Sequence, residues 1–300
     1  MNNKEPLKIA NYCVSFIDLL GQRLEYKDQS TLPKFNSAEE REQFLEKLRN
    51  TIGAIDELQR DSDSFLNTAL SHQSPLREQL QPDLKPLYDE MREVHFKRQR
   101  WSDGLVYFIS LADGNVKCSM VGVYFLLIAT GSLCFFGLAK KRPMRGAIDI
   151  AWATELLEGE LYGAAVARAY ELENQVAQYP RIVVGPKAVD YLIDNMKNPA
   201  SDIYSKFNQS LAKTCYSMLT QDSDGYHFVH YLGDVFYKNV SMKTHQELYQ
   251  HSIQFVLEQC EKWKGERNTK LSLRYSHLLS YFLAHPPSGS QEENTRSGAA

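Results

Sequence analysis

An α/β fold is what this 300-residue chain predicts, on three observations. Apolar runs rich in β-branched residues, 9–17 and 105–111, have the length and composition of strands. Long polar stretches with helical spacing separate and follow them, the clearest opening at Ser37. Hydrophobic residues make up 43% of the chain, enough for the core of one large domain or two small ones.

Taken in order, residues 9–17 alternate poorly but suit a buried strand, and residues 18–24 are expected to begin the helix after it. Ser37-Ala38-Glu39-Glu40 reads as a capping box for a helix carrying Phe44, Leu45, Leu48, Ile52 and Ile55 on one face. Pro75, Pro82 and Pro86 break the pattern before a second helix over 86–95. Residues 105–111 and 115–118 predict a hairpin turned at Ala112-Asp113-Gly114. Residues 121–139 are uncharged and mostly apolar, with Lys140-Lys141-Arg142 behind them. They read either as a membrane span with a basic flank or as a buried helix, the latter favoured by Thr130, Gly131, Ser132 and Gly137 within the run. A helix over 204–219, a strand pair at 226–232 and 235–237, and helices over 244–263 and 269–282 follow. The Ser-, Gly-, Glu- and Asn-rich tail 286–300 predicts disorder. Residues 1–285 are expected to form one domain, with 25–95 as a helical insertion.

A net charge of -3, with no basic stripe interleaved with aromatics, argues against a nucleic-acid binder. Cys13, Cys118, Cys134, Cys215 and Cys260 are odd in number and scattered, the usage of reduced thiols in a cytoplasmic protein. No long apolar stretch follows Met1, so no signal peptide is expected. His227, His230, His245 and His251 lack Cys or acidic partners at ligand spacing, and no P-loop or GxSxG signature is present.

Two aspartate motifs carry the chemistry: Phe16-Ile17-Asp18-Leu19-Leu20-Gly21 and Trp101-Ser102-Asp103-Gly104. Paired carboxylates suit a two-metal phosphoryl-transfer site, whereas each motif alone also reads as an Asp capping a helix. Then come Met144-Arg145-Gly146-Ala147-Ile148-Asp149, Tyr162-Gly163-Ala164-Ala165-Val166-Ala167-Arg168-Ala169-Tyr170-Glu171-Leu172-Glu173 and Arg181-Ile182-Val183-Val184. Over about residues 10–193 this order resembles the class III nucleotidyl cyclases, and most narrowly the pyrimidine cyclases of the bacterial Pycsar anti-phage systems.

That resemblance implies a ferredoxin-like palm core with a central, mostly antiparallel sheet flanked by helices. It implies a homodimer with sites at the subunit interface, and UTP (or CTP) as substrate for cyclic UMP (or cyclic CMP) plus pyrophosphate. The product would act on a separate effector, with no nucleic-acid or membrane partner. Asp18, Asp103 and the Leu19 carbonyl would hold two Mg²⁺ or Mn²⁺ ions. Amides near Leu20, Gly21 and Gln22 would meet phosphate oxygens.

Elsewhere the chain departs from the purine cyclases. Ala167 and Glu171 replace their ribose-orienting Asn and transition-state Arg, and Arg168 on the same helix is the substitute cation. Its alternative is a surface or dimer salt bridge. Gln99 and Glu160 fall at the base-reading positions, with Arg98 and Arg100 beside them, and Trp101 either narrows the pocket or joins the core. Arg145, Lys238 and Lys243 stand near triphosphate-binding positions, with solvated charges or structural ion pairs as the alternative. A non-catalytic nucleotide-binding module is the competing function.

Overall fold

The computed structural model describes residues 8–21, 33–70, 75–101, 104–112, 116–157, 159–238 and 242–287. The first half of the chain runs β1 (Ile9–Leu19), α1 (Ala38–Leu70), α2 (Pro75–Glu78), a 3-10 turn (Pro82–Leu84), α3 (Lys85–Met91), β2 (Lys97–Trp101), β3 (Gly104–Ser110) and α4 (Ser119–Ala139). Then follow β4 (Met144–Leu157), β5 (Glu160–Gly163), α5 (Ala164–Glu171), a π-helical turn (Leu172–Val176), β6 (Ile182–Val184) and α6 (Pro186–Lys197). The last part is α7 (Ile203–Ser217), β7 (Leu219–Gln221), β8 (His227–Val229), α8 (Asp234–Lys238), α9 (Met242–Gly265) and α10 (Thr269–Ala284).

Among the described residues eight strands form one sheet in the order β2-β3-β1-β4-β6-β8-β7, with β5 on the later part of β4. Every pair is antiparallel except β4 with β6. The protein is thus a mixed α/β sandwich around a mostly antiparallel sheet, as predicted. β1 is paired along both edges and covered on both faces, so its residues from Tyr12 onward are buried without alternation. Cys13 and Ile17, with Leu105, Ile109, Ile148 and Ile150, belong to the larger core, which includes α4. Tyr12, Val14 and Phe16, with Val106 and Phe108, form a smaller core with α5. Across that second face the β4–β5 hairpin reaches β2: the Leu161 N–H lies 3.4 Å from Gln99 Oε1, and Lys97 Nζ is 2.6 Å from Glu155.

The apolar run 121–139 lies within α4, which packs against the sheet, α1, α7 and α9 and is mostly buried. It is long and apolar enough to cross a membrane, yet burial on all sides gives the same composition. Its basic flank is neutralised by acids of α1 and α9: Lys140 Nζ lies 2.8 Å from Glu57 and 3.1 Å from Asp61, Lys141 pairs with Glu258 at 2.7 Å, and Arg142 pairs with Glu57. Gly131 permits close approach here, since a Cβ would sit 2.5 Å from the Phe236 ring. All five cysteines are buried free thiols, and burial pushes the Cys118 thiol up to about 11, away from reactivity.

Several expected elements differ. Residues 18 and 19 finish β1, residues 20 and 21 form a turn, and no helix begins there; residues 22–24 lie outside the described ones. The helix expected over 86–95 is Lys85–Met91, because the following residues extend into β2. The hairpin partner of β3 is β2, ahead of it, and residues 116–118 form no strand. The expected turn residues Asp113 and Gly114 lie outside the described ones. β8 pairs with β7, while 235–237 are helical in α8: the Tyr237 N–H donates to the Gly233 carbonyl at 3.1 Å. Lys238 therefore ends a helix, and the Lys243 side chain lies outside the described residues, as do residues 288–300 of the tail. In α1 the expected face is only partly used: Ile55 joins Ala54 and Leu58 in the core, whereas Ile52 is exposed.

Candidate active site

Asp18 lies on the α5 side of the sheet, in register with Gly104 on β3 and Arg145 on β4. It is 5% exposed. The residue before Gly104 in sequence is Asp103, which lies outside the described residues together with Ser102 and Gln22. Gly146 explains how tightly β4 meets β1 here, since a Cβ at 146 would come within 2.5 Å of the Phe16 carbonyl oxygen. Leu19 closes the strand opposite Met144, and the Leu20 N–H is committed to the Pro143 carbonyl at 2.9 Å. That amide is therefore not presented to a phosphate. Gly21 turns the chain with φ 97°.

Arg145 is the dominant charge beside Asp18. Its Nη2 lies 3.5 Å from Asp18 Oδ2 and its Nε 2.6 Å from Glu173 Oε1. Glu173 is 1% exposed and belongs to the π-helical turn after α5. One guanidinium thus serves two buried carboxylates, which otherwise face a heavy desolvation cost. Arg145 is the structural ion pair of the two alternatives. Among the described residues, no three of His, Cys, Asp and Glu converge in a metal-ligating group. Around Asp18 the described carboxylates are its own and that of Glu173, both held by one guanidinium, so these residues do not by themselves fit two divalent ions. The second carboxylate of the expected set, Asp103, is outside the described residues.

Of the expected base-reading pair, Gln99 lies on the edge strand β2 and Glu160 opens β5, which pairs with β4. Gln99, half-buried on β2, accepts the Leu161 N–H of β5, and Glu160 precedes Leu161 with its side chain exposed. Arg98 and Arg100 do not join them. Strand alternation turns both toward the other face, where Arg98 pairs with Asp63 and Arg100 lies 3.4 Å from Asp56, both acids of α1. Trp101 is 41% exposed and contacts Phe16 and Tyr170 at ring centroid distances of 5.9 and 6.4 Å.

Arg168 leaves α5 toward β4, where its Nε donates to Asp149 Oδ2 at 2.7 Å. Asp149 is fully buried, and its Oδ1 accepts the Ala188 N–H at the start of α6 at 2.9 Å. Arg168 thus forms a salt bridge inside the chain to a buried carboxylate, which is neither the surface nor the dimer pair expected as its alternative. Ala167 and Glu171 are exposed on the outer side of α5. Asp149 and Glu173 are the participants that sequence reasoning left without a role. A signal for Asp149 was present: a lone carboxylate between Ile148 and Ile150 in a buried strand requires a partner. No protein-family model and no curated protein matches this sequence.

Proposed function

We propose that the chain is a class III-type pyrimidine nucleotide cyclase, converting UTP to 3′,5′-cyclic UMP and pyrophosphate by attack of the ribose 3′-hydroxyl on the α-phosphate. The observation that carries this reading is the register of Asp18 with Gly104, the residue after Asp103, on adjacent strands. The meeting of Gln99 with the Glu160–Leu161 stretch supports it independently, because two residues 61 positions apart were expected at one base. A carboxamide offers a donor and an acceptor and a carboxylate only acceptors, a set that suits uracil N3–H and O4 or the cytosine amine. CTP is accordingly the alternative substrate. The product is a second messenger for a separate effector in anti-phage defence, and the enzyme works in the cytoplasm.

Two copies are required by this reading. Asp18 pairs with Arg145, and Asp149 lies four residues further along β4, which is roughly 13 Å in a strand. One α-phosphate does not span Asp18 and Arg168 of the same chain, so a homodimer supplies them from opposite copies. A second reading, a nucleotide-binding module without turnover, is favoured by the Arg145 guanidinium on Asp18.

The deciding experiment incubates the protein with Mn²⁺ and ATP, GTP, CTP or UTP separately and identifies products by mass spectrometry. A cyclic pyrimidine monophosphate that vanishes in Asp18→Ala and Asp103→Ala is the expected result. A folded protein that binds UTP and yields no product selects the binding module.

A further inference from the structure

A cleft of about 480 Å³ opens between β4 and α6, lined by Asn11, Trp152, Arg168, Lys187 and Tyr191 among others. Beneath it, three segments meet on one carboxylate. Asp149 on β4 uses Oδ1 to accept the Ala188 N–H in the first turn of α6 and Oδ2 to hold Arg168 Nε. Gly185, just before α6, leaves the room for this: a Cβ there would lie 2.3 Å from Asp149 Cγ. The mount is therefore rigid, with no exposed surface on Asp149 and a separate partner for each of its oxygens.

What the mount leaves open is the outer edge of the guanidinium. Arg168 is 37% exposed at its side chain, and among the described residues its two terminal nitrogens have no partner. Trp152, also in the lining, is 49% exposed. The nearest other cation of the lining, Lys187, is balanced by Asp190 at 3.1 Å, and Asp194 adds a further acid. Net charge thus does not select a ligand here. Directional donors do, since a guanidinium held at Nε points two parallel N–H groups at a planar or tetrahedral oxyanion.

We propose that Asp149 is a positioning residue that fixes Arg168 through Nε so that its terminal nitrogens receive a phosphoryl group in this cleft. The proposal rests on the cyclase reading for the identity of that group, the phosphate of a nucleoside triphosphate, but its geometry does not depend on turnover. Asp149 touches no substrate; it acts through Arg168.

The test measures binding of inorganic tripolyphosphate by calorimetry, and UTP turnover, in the full chain and in Arg168→Gln, Asp149→Asn and the double variant. Asparagine keeps an oxygen for the Ala188 N–H, so α6 stays capped and thermal unfolding checks the fold. Each single variant is expected to weaken tripolyphosphate about tenfold, with the double variant no weaker than either, as for residues acting as one unit. Unchanged binding in Asp149→Asn beside weakened binding in Arg168→Gln overturns the positioning role, and unchanged binding in both overturns the site. Binding that depends on both residues, in a protein that turns over no nucleotide, keeps the site and removes the cyclase. UTP turnover with unchanged kcat and KM in both single variants keeps the cyclase and removes the site. If Asp149→Asn does not fold, arginine side-chain NMR of the unaltered protein answers instead: on titration with tripolyphosphate the Arg168 Nη signals shift while Nε–H stays hydrogen-bonded, and loss of that bond overturns the proposal.

Discussion

Arg145 shows how far a single side chain can matter here. It lies against Asp18 and Glu173, both nearly inaccessible, and donates from Nη1 to the Ala177 carbonyl at 3.4 Å. Arg145→Ala strips a guanidinium from two buried carboxylates, and removing one partner of such a pair costs about 3–5 kcal/mol. Urea unfolding should show a loss of that size, and a loss below about 1 kcal/mol would mean the group is solvated like a surface pair. His230 gives a pH signature. Burial foremost, then the charge of His285 whose ring lies 4.5 Å away, push its imidazole down to about 4 from an ordinary 6.5, with Asp234 pulling weakly upward. Its Nδ1 sits 2.9 Å from the Tyr281 hydroxyl. The unfolded chain therefore binds the extra proton first as pH falls, so stability declines from about 6.5 to about 4 and levels off below. His230→Gln should flatten that decline in chemical unfolding followed from pH 7 to 4. Some slope will remain from His245, whose imidazole burial also lowers.

The glycines of α4 decide a different contest. Alanine is intrinsically the better helix former by about 1 kcal/mol. At Gly131, however, a Cβ meets the Phe236 ring at 2.5 Å and Val229 at 2.7 Å, and overpacking of that kind costs about 1–3 kcal/mol. Gly131→Ala should lower the melting temperature, and a raised one would show that α4 has room to shift. The same helix illustrates what the sequence made legible. Its length and apolarity allowed either lipid or protein around most of it, and in the fold α1, α7 and α9 pack against it. β1 was legible because a doubly covered strand needs no alternation. β2 was not: Lys97-Arg98-Gln99-Arg100-Trp101 is polar because it is an edge strand whose arginines are paired across to α1, information held forty residues away. Likewise Val235, Phe236 and Tyr237 have strand composition, yet Phe236 is needed against Gly131 and the chain coils to deliver it. At the site, the motifs marked Asp18 as buried at a strand end and set Gln99 near the start of β5, where it takes the Leu161 N–H. The partners of Arg145 and Arg168 could not be read, since ion pairing depends on which strands and helices become neighbours.

The assembly carries the last test, because the cyclase reading divides each site between two copies. If so, a chain lacking Asp18 and a chain lacking Arg168 are each inactive as homodimers for different reasons. In a mixed dimer one site inherits both defects and the other inherits neither. Equal mixing of Asp18→Ala and Arg168→Gln chains, after subunit exchange, should restore about a quarter of the unaltered activity, since half of the dimers are mixed and each has one good site. Asp149→Asn should complement Asp18→Ala just as Arg168→Gln does, because Asp149 and Arg168 are joined within one chain at 2.7 Å. It should fail to complement Arg168→Gln, since both defects then fall in the same half of the site. Recovery measured as cyclic UMP formed from UTP reads out all three pairings. No recovery in any mixture, from chains that exchange and dimerise, places the site within one copy and removes the strand-register argument for a shared one. Recovery with Asp18→Ala paired to Arg168→Gln but not to Asp149→Asn separates the buried carboxylate from the arginine it holds.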